Sequence, residues 1–192
     1  AVRPDGLGSG ADAESDSSLR KRLLDRFQRP PHGGAVRDYE QWARAVASVT
    51  RVWVSPREQG DGTVTVRFAT DDADGGPIPD SQTVQAVQDA IDAERPVTAE
   101  VFAVAPIPVA LNPEIRLTPN TTTVQAAVKA QLENLLRRDA KPGGTILESR
   151  IREAIAIASG ESDHDLVSPT GDVTHAAGEM AVLGTITWAG EA

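Results

Sequence analysis

The chain has 192 residues, enough for one domain or two small ones with a sizeable buried core. Its formal net charge of −9 runs against a nucleic-acid-binding domain, which needs a basic face, and against attraction to anionic membrane surfaces. With no cysteine and only 4% aromatic residues, it has no disulfide, thiolate zinc site or thiol catalysis, and its core must be built mainly from Val, Ala, Leu and Ile.

Residues 1–15 are Gly-rich at the start, lack hydrophobic periodicity and read as a flexible tail or linker. Ser15 or Ser17 is placed to cap a helix over about 18–28, with Leu19, Leu23 and Phe27 on one face. Its other face is basic, through Arg20, Lys21, Arg22, Arg26 and Arg29. In an acidic protein such a face suits an acidic neighbour, within the chain or on another subunit, so Arg20, Arg22 and Arg26 are candidate interface residues.

After Pro30-Pro31-His32-Gly33-Gly34 a second helix places Tyr39, Trp42, Ala43 and Val46 at i, i+3, i+4 and i+7, one apolar stripe. The runs TRVWVS and TVTVRF then read as two strands joined by the turn-rich Glu58–Gly62. Trp53 points to the opposite strand face from Val52 and Val54. Either helices cover both faces of this sheet or the outward set meets a partner, which makes Trp53 the fourth candidate interface residue. Residues 71–77 (DDADGGP) form a surface loop. A helix to about Ala93 with Val84, Val87 and Ile91 inward follows, and then a strand over 97–105.

Pro106-Ile107-Pro108 interrupts sheet pairing and marks a boundary. Beyond it, Val109–Leu117 reads as a strand weakened at Asn112-Pro113, and residues 122–138 as a helix with Val124, Val128, Leu132, Leu135 and Leu136 inward. Lys141-Pro142-Gly143-Gly144 turns the chain into a helix over about 147–159, with Leu147, Ile151, Ile155 and Ala158 inward. Short strands are expected at 165–168, 171–174 and 182–188. The predicted class is α+β: a first module over 16–106 (ααββαβ) and a second over 107–192 (βααββ), both with mainly antiparallel strands.

No motif carries chemistry. Asp72, Asp74 and Gly76 loosely follow an EF-hand start, but the sixth and twelfth loop positions hold Pro77 and Thr83 instead of Gly and Glu. His164 lies among Glu161, Asp163 and Asp165, and His175 stands four residues from Glu179, yet neither group shows ligands converging from separate elements. Ser149 and Ser168 lack a nucleophile-elbow context, and Lys141–Thr145 has the wrong order for a phosphate-binding loop. The reading is therefore of a chain with no catalytic residue, no cofactor and no metal.

Ordered phrases carry a more specific signal. They begin with Ala11–Asp16 and Leu19–Leu24, then Gly33-Gly34, Tyr39, Trp42-Ala43, Val49–Val54, Pro56 and Gly60–Val64. Arg95–Ala99, Pro142–Gly144, Ser149, Ile151, Ile155, Leu166, Pro169 and Leu183–Thr187 continue the order. In this sequence of phrases the chain resembles the baseplate J family, wedge proteins of contractile-tailed phages and related phage-tail-like injection machines. The resemblance covers roughly residues 11–188 and implies the C-terminal portion of a longer protein.

It further implies a structural role in a contractile tail baseplate, with assembly and triggering of sheath contraction. The implied partners are other wedge subunits and copies of itself, with the hub or spike complex nearby. No nucleic acid and no membrane contact by this chain are expected. The implied location is the virion tail, assembled in the host bacterial cytoplasm. The competing expectation is a small-molecule-binding or regulatory module of ferredoxin-like α+β type, recognisable by a pocket with converging polar groups. A hydrolase using carboxylates such as Glu100 or Glu114 has no spacing to support it.

Overall fold

The computed structural model describes residues 33–190 together with Asp16, Leu19, Arg20 and Leu24. These last four are helical and exposed, while Arg22, Arg26 and the rest of the basic helix lie outside the described residues. Residues 33–190 form four helices and ten strands, an α+β architecture. No helix among them is long and apolar enough to cross a membrane.

The first layer starts with α1 (Val36–Ala43), whose entry is fixed by Asp38: its Oδ2 accepts from the backbone N–H of Gly34 at 2.8 Å and of Ala35 at 3.0 Å. Tyr39 and Trp42 meet edge to face, 5.0 Å between ring centroids, and Tyr39 and Ala43 are buried. The expected stripe extends to Val46, but the helix ends at Ala43. Ala45 and Val46 instead bond back to Trp42 and Ala43, three residues earlier, the tighter pattern common at helix ends.

β1 (Arg51–Pro56) and β2 (Thr63–Ala69) pair antiparallel, and β3 (Glu100–Val104) joins β2 in parallel after α2 (Ser81–Asp92), giving sheet order β1-β2-β3. Val52, Val66, Phe68, Val101 and Ala103 face the two helices and form one buried core with Tyr39, Val87 and Ile91. The outer edge of β3 is occupied by a side chain. Gln88 Oε1 accepts from the Ala103 N–H at 2.7 Å, and its Nε2 donates to the Val101 carbonyl and to Asp92, each at 3.0 Å.

The second core is assembled around α3 (Thr122–Asp139), whose Val124, Val128, Leu132, Leu135 and Leu136 are all buried as its periodicity predicts. It packs on α4 (Glu148–Ala156), which buries Ile151, Ala154 and Ile155. Leu147 lies just before that helix rather than inside its stripe and stays 43% exposed. The stretch expected as one strand to Leu117 is two, β4 (Ile107–Leu111) and β5 (Glu114–Thr118), because Asn112-Pro113 breaks it. The halves belong to different sheets. β4 pairs with β9 (Glu179–Leu183), and β5 lies between β7 (Asp163–Ser168) and β10 (Thr187–Trp188). The two-residue strands β6 (Thr145–Ile146) and β8 (Val173–Thr174) pair with one another.

The strand directions divide evenly, where mainly antiparallel strands are expected from the sequence. β1·β2, β5·β7 and β6·β8 are antiparallel, whereas β2·β3, β4·β9 and β5·β10 are parallel. The parallel β2·β3 pair is a strand-helix-strand unit, which returns the chain to the same end of the sheet. The other two parallel pairs join strands far apart in sequence, where local pattern carries no information about the partner.

Candidate functional site at the seam between two cores

The outward face of the β1-β2-β3 sheet carries Arg51, Trp53, Thr65, Arg67 and Ala69, and the second core lies against part of it. Ala69 is fully buried in that core, and Trp53 and Ile78 pack on it partly buried. Trp53 therefore makes a contact inside the chain, opposite Arg67 in the register and with the Arg51 guanidinium 5.1 Å from its ring centroid.

Arg51 joins the two halves. Its Nε and Nη2 donate to the Asp71 carboxylate at 2.8 and 2.7 Å, a two-pronged pair. Its Nη1 donates to the Ala140 carbonyl at 2.6 Å and reaches the Leu136 carbonyl at 3.4 Å, at the C-terminal end of α3. That is where a helix presents partial negative charge. Asp71 is only 6% exposed, and Thr50 holds it by donating from Oγ1 at 2.5 Å and accepting its N–H at 3.1 Å. The loop that begins at Asp71 is thus anchored at its first residue instead of being wholly solvated. At the rim, Arg137 on α3 pairs with Asp72 at 2.6 Å. Of these groups Arg51, Asp71, Leu136 and Arg137 line a cleft of about 410 Å³, lined on another side by Ala181–Leu183.

Further along the seam Arg67 is gripped by Glu58 through two bonds of 2.5 and 2.6 Å, and this hydrogen bonding holds the Glu58 carboxyl below its usual range. The guanidinium lies against Gly178, where a Cβ would stand 3.0 Å from Nη2. Gly178 has φ +84°, a conformation that favours glycine, its carbonyl accepts from the Ile107 N–H that opens β4, and an added Cβ would press on the Arg67 guanidinium.

The sequence-level candidates outside the seam disperse. His164 Nδ1 pairs with Glu161 at 2.8 Å, Asp163 accepts the His164 backbone N–H, and Asp165 faces Arg116 at 3.4 Å. His175 Nδ1 bonds the Gly144 carbonyl at 3.0 Å, which puts its proton on that nitrogen, and its Nε2 is buried without a partner. Glu179 turns instead to the Ala176 N–H. No group of three such side chains is placed to hold a metal among the described residues. Glu100 and Glu114 open strands of different sheets. Arg20 is exposed. Sequence reasoning missed Arg51, Asp71 and Gly178. The available signal was a charged residue opening an otherwise apolar strand and another just past the strand it pairs with.

Two family models match the chain in succession: the Baseplate J-like central domain over residues 31–105 and the Baseplate J-like protein C-terminal domain over 111–189. The JayE protein of Escherichia coli K12 is 38% identical over 185 residues, covering 96% of this chain and 70% of JayE. The chain belongs to the baseplate J-like family. Other relatives are the Mu-like prophage FluMu protein gp47 of Haemophilus influenzae, 37% identical, and the baseplate protein gp47 of Escherichia phage Mu, 34% identical. Alignment with them takes in 95% and 98% of this chain but only 54% and 55% of their own lengths, so the chain spans about half of these baseplate J-like relatives. The first core lies in the region matched as the central domain. The second is built almost wholly from the region matched as the C-terminal domain.

Proposed function

We propose that this chain is a structural part of the baseplate of a contractile phage tail, a wedge component that helps assemble the baseplate and trigger sheath contraction. The observation that carries the reading is the succession of baseplate J-like central and C-terminal domains, in that order, along nearly the whole chain. The name of the phage Mu relative, a baseplate protein, supports the same reading. The role is one of contacts instead of catalysis. Its partners are other wedge subunits and further copies of the chain, near the hub or spike, in a particle assembled in the bacterial cytoplasm.

Within that role the chain works as two modules divided at Pro106, and its basic helix, through Arg20, Arg22 and Arg26, reaches an acidic face of a neighbouring subunit. The test is deletion of the codons for residues 33–190 in the source genome, followed by negative-stain microscopy of the particles. Tails without baseplates, or unsheathed tubes, are expected. Normal tails that contract and deliver would overturn the reading.

A further inference from the structure

The passage from the central to the C-terminal domain is short. β3 ends at Val104 and β4 starts at Ile107, so only Ala105 and Pro106 intervene. A link of that length serves a hinge or a fixed joint equally well, and the side chains at the seam decide between them. The contacts that cross the seam differ in kind. Trp53, Ala69 and Ile78 give apolar contact, Arg67 lies on the Gly178 backbone, and Arg137 reaches Asp72 at the exposed rim.

Arg51 differs from all of these. One guanidinium is shared between a nearly buried carboxylate of its own domain and backbone carbonyls of the other. Apolar surfaces can slide over one another at small cost, and an exposed ion pair contributes little. A planar fork bonded on two sides tolerates neither rotation nor translation, because any shift breaks bonds at one end. Asp71 in turn is braced by Thr50, so the fork is held at its root.

We infer that Arg51 is the pin of the interdomain joint: it fixes the central domain against the end of α3, so that residues 33–190 move as one body. Any rearrangement of the chain against a partner then occurs at the outer contacts of this body and not between its domains. The inference concerns the chain by itself and does not rest on the baseplate reading.

The chain has no cysteine, so cysteines introduced at Ala86 on α2 and Ala130 on α3, both exposed, are unambiguous spin-label sites. Double electron–electron resonance on the full chain should give one narrow distance distribution. Arg51→Lys keeps a charge but cannot fork, and it should at least double the width. Arg51→Met should do the same, and if that variant fails to fold the lysine variant decides. Arg137→Gln, which removes only the rim pair, should leave the width unchanged. A broad or two-peaked distribution in the parent chain would overturn the inference. So would an Arg51→Lys distribution as narrow as the parent's, or equal broadening by Arg137→Gln.

Discussion

Gly184 shows how narrowly single positions are specified in this fold. A Cβ there would fall 2.0 Å from Asn112 Oδ1 and 3.0 Å from the Ala110 Cβ. That Asn112 oxygen is itself engaged by the Thr185 N–H at 2.9 Å, and the Gly184 N–H bonds the Leu111 carbonyl, so neither chain can retreat freely. Gly184→Ala is expected to cost about 1–3 kcal/mol, as overpacking does. Adding Asn112→Ala should recover part of the loss, measured by urea denaturation of both single variants and the double. Strict additivity would show that the clash is relieved elsewhere. The phrase Leu183–Thr187 was visible in the sequence, but the reason for its glycine was not, because Asn112 lies 72 residues away in the chain.

At the level of elements, legibility followed period and length. The long α3 was read nearly to its ends, because five apolar residues at helical spacing leave little choice. The two-residue β6 has no periodicity to read and was missed, β8 falls inside the short strand expected at 171–174, and β10 was swallowed by a longer expected strand. Leu147 and Ile157 flank α4 and look as apolar as its core positions, yet they are 43% and 61% exposed. A contrast follows. Leu132→Ala, at a fully buried site, should cost about 2–5 kcal/mol, while Ile157→Ser should change stability by no more than about 0.5 kcal/mol. Thermal and urea unfolding of the two variants side by side would check this, and equal losses would show that burial is not what separates them.

At the level of the whole molecule, the class and the family phrases were legible, whereas the seam was not, since it joins groups far apart in sequence, such as Arg51 and Ala140. The acid sensitivity of the whole fold follows from its carboxyls. Glu58 is held low by Arg67, Asp139 by Arg138, and Asp92 chiefly by Gln88 and then Arg95. Each has a folded-state pKa below its unfolded value of about 4, so the stabilisation is complete above that value and is lost as pH falls through it towards the folded pKa. The melting temperature should be level from pH 7 to about 5 and fall below about 4. Glu58→Gln should make the acid side shallower in a melting series against pH, and an unchanged slope would remove Glu58 from the account. Reversing Arg20, Arg22 and Arg26 to Glu should leave the melting temperature in place while stopping incorporation into particles, scored by particle yield and microscopy. Normal incorporation would remove the basic helix from the contact. One last consequence concerns synthesis. Gln88 occupies the sheet edge where a foreign strand would otherwise add, and α2 leaves the ribosome before β3 does. The guard is therefore synthesised before the edge it guards, so no later part of the chain has to emerge before that edge can be covered.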